Sequence, residues 1–248
     1  MRPNAVEIKV TVDGPHVAAV MRALALTPED GHELKIYFCE DVADGLAPST
    51  PLLDAGVILR ARDLGDRKSD STIKLRPCRR SQLNDYWLGA THGDGWEFAL
   101  EADWSGDRKL LTASCTALRS SERIQTVYSG GRPIKGLFTD KQERFLKTCA
   151  ALHVNLRTLK LLPPVAATRW GPMELPAEDR KLTVMAERWT VDDALDFLEL
   201  SLRVGPESAA EAKTALEDLV RRHGVELDLT QETKTRRVLE HLVRTTTP

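Results

Sequence analysis

Four cysteines are scattered through the 248 residues, at Cys39, Cys78, Cys115 and Cys149, and none forms a CxxC pair. The six histidines show no paired spacing, which together with the scattered cysteines argues against both a zinc site and a disulfide framework. His92 and His153 read as ordinary surface or core residues. No segment approaches the roughly 20 apolar residues of a membrane span, and the stretch MRPNAVEIKV lacks the apolar run of a signal peptide. Reduced thiols without a membrane or export segment lead to the expectation of a cytoplasmic protein. A charge excess is missing too. Charged residues make up 29% of the chain, yet the formal net charge is only -2, so no global pull toward a nucleic acid polymer or an anionic membrane is expected. Any basic site must be local. Neither an internal repeat nor a low-complexity linker is present, and the expectation is one domain over 1–248.

What the chain does have is short strands with charge on every second residue. In Ile58-Leu59-Arg60-Ala61-Arg62, Arg60 and Arg62 share one face, and in Ser71-Thr72-Ile73-Lys74-Leu75-Arg76, Lys74 and Arg76 share another. The segment from Asp63 to Asp70 is rich in Gly, Asp and Ser and reads as a hairpin loop. Paired with matching faces, these strands gather four cations on one surface, and like charges opposite each other destabilise a sheet. An anionic partner resolves that conflict. A solvated outer face of long side chains is the plainer explanation and the commoner fate of charged strand residues.

The same alternation recurs elsewhere. Ala5 to Val12 sets Glu7, Lys9 and Thr11 against Val6, Ile8, Val10 and Val12, and Glu97 to Asp103 sets Glu97, Glu101 and Asp103 against Phe98 and Leu100. Phe197 to Arg203 opposes Glu199, Ser201 and Arg203 to three leucines, although Thr190 to Val204 also reads as a helix with Leu195, Leu198 and Leu202 in a stripe. Lys109 to Ala117 is strand-like and precedes a Gly-rich loop. Helical spacing marks His16 to Leu26, Asp140 to His153, Glu207 to His223 and Gln231 to Val243. If those helices cover the aliphatic faces from outside, the charged faces point inward, which describes a barrel with a charged lumen.

The order of AVEIK at Ala5 to Lys9, "LRAR", "STIKLR", "EAD", "ATRW" and "LELS", followed by a helical tail with "ETKTRR", resembles the CYTH superfamily, the triphosphate tunnel metalloenzymes. That group includes thiamine triphosphatases, inorganic triphosphatases and class IV adenylate cyclases. The resemblance implies an α+β fold with an eight-stranded antiparallel β-barrel, a charged tunnel, helices packed outside, and C-terminal helices over about 207–244. It also implies roles. Lys9, Arg60, Arg62, Lys74, Arg76 and Arg169 match the phosphate-holding bases, and Lys234 resembles the lysine that reaches the tunnel from the tail. Glu7, Glu101, Asp103, Glu187 and Glu199 match carboxylates that hold Mg²⁺ or Mn²⁺, with Glu7 and Lys9 at the catalytic step.

Each set has a chemical reason. A triphosphate carries about four negative charges, which Arg and Lys meet with directional, charge-assisted hydrogen bonds. Hard carboxylate oxygens suit Mg²⁺ or Mn²⁺. In phosphoryl transfer, positioning and electrostatics supply most of the catalysis. The plainer alternatives are that Glu101 and Asp103 are structural partners of the bases, and that Trp87, Trp96 and Trp104 are packing residues rather than stacking platforms.

The chain departs from the family pattern at two metal positions. The usual ExExK begins here with Ala5, and the second alternating glutamate of the late strand is Ser201. Two readings follow: a metal-dependent hydrolase of an inorganic or organic triphosphate, or a non-catalytic binder of polyphosphate or nucleotide. A cyclase is a smaller third, since no adenine pocket is legible. The expected partner is a small triphosphate or polyphosphate, with neither a nucleic acid polymer nor a membrane.

Overall fold

The structure is a computed structural model that describes residues 3–42, 47–65, 68–177, 180–192, 195–228, 230 and 232–246. The described strands are β1 (Val6–Asp13), β2 (His32–Glu40), β3 (Val57–Asp63), β4 (Ser69–Leu75), β5 (His92–Gly93), β6 (Trp96–Ser105), β7 (Arg108–Arg119), β8 (Lys160–Leu161), β9 (Val165–Ala177), β10 (Arg180–Asp192) and β11 (Leu195–Val204). The helices are α1 (His16–Ala23), α2 (Pro51–Asp54), α3 (Asp85–Gly89), α4 (Ser121–Tyr128), α5 (Asp140–Cys149), α6 (Ala209–Arg221) and α7 (Lys234–Thr246). The fold is α+β with mostly antiparallel strand pairs. No helix among the described residues is long and apolar enough to cross a membrane.

Two compact units make up the chain. The first comprises Met1–Leu34, Glu101–Leu110 and Val165–Lys234, and the second Lys35–Leu100, Leu111–Pro164 and Thr235–Pro248. In the first, β1 pairs antiparallel with β11, β11 with β10 and β10 with β9. The other edge of β1 pairs in parallel with the end of β6, from Ala102 to Ser105. Alternation decides the burial of β1: Val6, Ile8, Val10 and Val12 enter a core with Leu198, Leu200 and Leu202 of β11, while Glu7, Lys9 and Thr11 keep to the other face. Val17 and Val20 of α1 and Leu216 and Val220 of α6 close that core. Each such buried aliphatic side chain contributes about 1.5 to 3 kcal/mol. In β9, Gly171 has φ +99°, and a Cβ there would meet the Val184 carbonyl oxygen at 2.7 Å, beside the register shift between Val184 and Ala186. Only glycine fits that bulge.

In the second unit β2 pairs with β3, β3 with β4 and β4 with β7, all antiparallel. Their odd-numbered residues, among them Leu59, Ala61, Ile73, Ala113 and Cys115, form a core with Trp87, Phe98 and Phe145. The Trp87 and Phe145 rings meet edge to face at 5.0 Å. Helix α5 begins with a capping box, in which Thr139 accepts from Gln142 N–H and Gln142 Oε1 accepts from Thr139 N–H. Gln142 is fully buried, and its Nε2 also donates to the carbonyls of Ser71 at 2.8 Å and Cys115 at 3.0 Å, which ties α5 to β4 and β7. All four cysteines are free and buried. Burial pushes the Cys78 thiol up to about 11 and the Cys115 thiol to about 12.

Several sequence expectations change in detail. Leu195–Val204 is a strand, so the leucine stripe gives way to alternation once β1 and β10 flank it; residues 193–194 lie outside the described residues. The loop expected over Asp63 to Asp70 is shorter, because β3 runs to Asp63 and β4 starts at Ser69; residues 66–67 lie outside the described residues. The four expected helices are His16–Ala23, Asp140–Cys149, Ala209–Arg221 and Lys234–Thr246. Gln231, the expected start of the last, lies outside the described residues. Of the three tryptophans read as packing residues, Trp87 is fully buried, while Trp96 and Trp104 are half-buried.

Candidate functional site

In the first unit one sheet face collects the charged residues. Register places Glu7 opposite Arg203, Lys9 opposite Ser201 and Thr11 opposite Glu199 across β1 and β11, and Glu7 beside Asp103 across β1 and β6. Lys9 Nζ lies 2.7 Å from Glu7 Oε2 and 2.8 Å from Asp103 Oδ2. Glu101, two residues before Asp103 on β6, pairs with Arg203.

A second cluster lies on β11, the neighbour of β1, and on β10 beyond it. Glu187 of β10 and Glu199 of β11 face each other directly, an arrangement that repels. Lys234, the first residue of α7, offsets it with Nζ 2.8 Å from Glu199 Oε1 and 3.6 Å from Glu187 Oε1. Arg169, opposite Glu187 on β9, adds Nε and Nη2 hydrogen bonds to Glu187 Oε2 at 3.1 and 2.8 Å. Trp189 Nε1 donates to Glu187 Oε1 at 2.5 Å, and its ring lies 4.3 Å below the Lys234 ammonium. Burial alone raises the Glu187 pKa. The charges of Lys234 and Arg169, with the hydrogen bonds from Arg169 and Trp189, outweigh it and hold the carboxyl well below the usual carboxylate range.

In the second unit Arg60 and Arg62 of β3 and Lys74 of β4 share one face, half-buried, and Arg76 follows the end of β4 with its N–H on the Gly56 carbonyl at 2.7 Å. On that shared face no cation stands directly opposite another. Arg60 faces Thr72, Arg62 faces Asp70 and Lys74 faces Ile58. Asp70, expected in the loop, extends β4 and accepts three hydrogen bonds from Arg62, Nη2 at 2.5 Å and Nε at 2.9 Å on Oδ2 and Nε at 3.2 Å on Oδ1.

The expected residues thus fall into three groups: Glu7, Lys9 and Asp103 with Glu101, paired to Arg203, nearby; Arg169, Glu187, Glu199 and Lys234; and Arg60, Arg62 and Lys74, with Arg76 just past the end of β4. Sequence reasoning missed Trp189. Its signal was available, since Trp189 follows Glu187 by two positions in "AERW" and so shares its face.

The acid pairs suit a divalent cation. Glu7 and Asp103 already bracket a cation, the Lys9 ammonium, and Glu187 and Glu199 bracket that of Lys234. Mg²⁺ is commonly held by one or two carboxylates together with substrate phosphate oxygens, which two-acid seats supply. No group of three His, Cys, Asp or Glu stands ready to hold a metal among the described residues.

No family model and no curated relative matches this chain. Among solved structures, a candidate adenylate cyclase from Bacillus halodurans superposes with a TM-score of 0.57 at 12% identity, covering 94% of this chain and 98% of its own. A candidate adenylyl cyclase from Hippeastrum, described with a dominant triphosphatase activity, gives the same TM-score and identity over 98% of this chain and 97% of its own. At that identity the likeness is one of fold, and the chain has the fold of these two proteins, which are of the CYTH type that its motifs resemble.

Proposed function

We propose that this chain hydrolyses a triphosphate, inorganic or organic, with Mg²⁺ or Mn²⁺. The observation that carries the reading is the pair of lysines, Lys9 and Lys234, each closed on two carboxylates. A phosphate chain that draws either ammonium toward itself frees two hard oxygen donors at once, so anion and divalent cation favour each other's binding. Glu7 with Asp103, and Glu187 with Glu199, would hold the ion; Glu101 would join the first pair on release from Arg203. When bound, the ion neutralises phosphate charge and orients the attacking water.

The side chains do the rest. Lys9, Arg169 and Lys234 bind phosphate oxygens, and Arg60, Arg62, Lys74 and Arg76 are assigned the same role on the second unit. Glu187 stays ionised across the working pH range because its pKa is depressed. Water bonds to the terminal phosphorus as the phosphoanhydride P–O bond breaks, releasing orthophosphate. The triphosphatase activity described for the Hippeastrum protein supports this reading.

A second reading, a polyphosphate or nucleotide binder without turnover, is favoured by two specific positions. Ala5 is a buried methyl where the resemblance places a carboxylate, and Ser201 stands opposite Lys9 where it places another. A screen of phosphate release from tripolyphosphate, thiamine triphosphate, ATP and GTP, with Mg²⁺, with Mn²⁺ and with chelator, separates the two. Turnover that needs the metal supports the hydrolase. Binding without turnover on every substrate assigns the chain to the binders.

A further inference from the structure

Outside these clusters, the second unit carries a pocket of about 360 Å³ formed by Glu143 to Lys147 of α5, Lys135 before the helix and the segment from Leu152 to Arg157 after it. Its lining includes four strong bases, Lys135, Arg144, Lys147 and Arg157, over apolar Leu146, Leu152, Val154 and Leu156. Glu143 is the one carboxylate in that lining. Its Oε2 takes the Lys135 ammonium at 3.1 Å, while its Oε1 is buried with no hydrogen-bond partner among the described residues. Arg144 lies over the Tyr86 ring at 4.7 Å, and no carboxylate among the described residues pairs with Arg144, Lys147 or Arg157.

Three features therefore stand unanswered in one concavity. Three exposed cations without a carboxylate partner, Arg144 on the Tyr86 ring among them, favour an anion, since bases gathered without a counter-charge repel. A buried acceptor without a donor is unfavourable and calls for an N–H or O–H. Apolar side chains in a space at the lower end of ligand pockets call for a small body rather than a polymer. Three cations beyond the Lys135 and Glu143 pair balance one phosphate monoester better than the fourfold charge of a triphosphate.

We infer that this pocket binds a small organic phosphate monoester of nucleoside monophosphate size, with its phosphate on Arg144, Lys147 and Arg157, its apolar ring system on Leu152 and Val154, and a ring N–H or hydroxyl donated to Glu143 Oε1. The position of α5 is fixed independently by the buried Gln142, so the pocket wall is preformed.

The test is titration calorimetry of the full chain with AMP, adenosine and inorganic phosphate, repeated in the presence of saturating tripolyphosphate. AMP is expected to bind saturably at one site, more tightly than adenosine or phosphate, and to persist with tripolyphosphate present. Lys147→Ala with Arg157→Ala should weaken AMP by about tenfold or more, since two charge-assisted contacts are lost. Glu143→Gln should weaken AMP while leaving inorganic phosphate unchanged. Both variants should release phosphate from tripolyphosphate at the wild-type rate. No saturation at millimolar AMP, displacement of AMP by tripolyphosphate, or affinity unchanged in the double variant would each overturn the assignment. Equal affinity for AMP and inorganic phosphate would overturn its organic part.

Discussion

Glu187 and Glu199 stand directly opposite each other on neighbouring strands, and the Lys234 ammonium answers both, 3.6 and 2.8 Å away. Two like charges in register are tolerated because a cation from the start of α7 is inserted, with the Trp189 ring beneath it. That arrangement is costly to break.

Lys234→Ala removes the ammonium and leaves two largely buried carboxylates facing each other. Denaturant unfolding is expected to show a loss of roughly 3 to 5 kcal/mol. Lys234→Ala combined with Glu199→Ala should lose less than Lys234→Ala alone, because the repulsion goes with the second carboxylate. A single variant as stable as the wild type contradicts the pairing.

Glu187 sets an acid limb of stability. Its folded pKa lies below the unfolded value, so its contribution is fully present above the unfolded carboxylate pKa of about 4.3 and is lost as pH falls toward the folded one. Unfolding free energy measured from neutral pH downward should fall through that window, and Glu187→Gln should flatten the fall. An unchanged acid limb in the variant would show that Glu187 is not held ionised.

Much of this arrangement was legible in sequence. Alternation alone put Glu7 and Lys9 on one face and Val6 and Ile8 on the other, because the side-chain period of a strand is two whatever its neighbours. Register was not legible. Whether Arg62 meets another cation or Asp70 depends on where the hairpin closes, and the polar run from Asp63 to Asp70 gave no single closing point. The Leu195 to Val204 segment was ambiguous for a related reason: its leucines satisfy both periods, and only flanking strands choose between them. Trp189 escaped because indoles are usually packing residues, and its bond to Glu187 requires β10 to place both on one face.

Tripolyphosphate is expected to raise the melting temperature, since a ligand bound only by the native state stabilises it by about 2.7 kcal/mol at a hundredfold excess over its Kd. Arg60→Ala and Lys74→Ala should each reduce the shift, as should Lys9→Ala. A wild-type melting temperature unmoved by millimolar tripolyphosphate would remove the phosphate assignment from all of these bases.

The most direct measurement is the initial rate of orthophosphate release from tripolyphosphate by the wild type and Glu7→Ala, side by side, across a Mg²⁺ and a Mn²⁺ series. The proposed hydrolase predicts metal-dependent turnover in the wild type and its loss in Glu7→Ala, because that change removes one of the two carboxylates closed on Lys9. Equal rates in the two proteins, or no turnover by the wild type at any metal concentration, would contradict it.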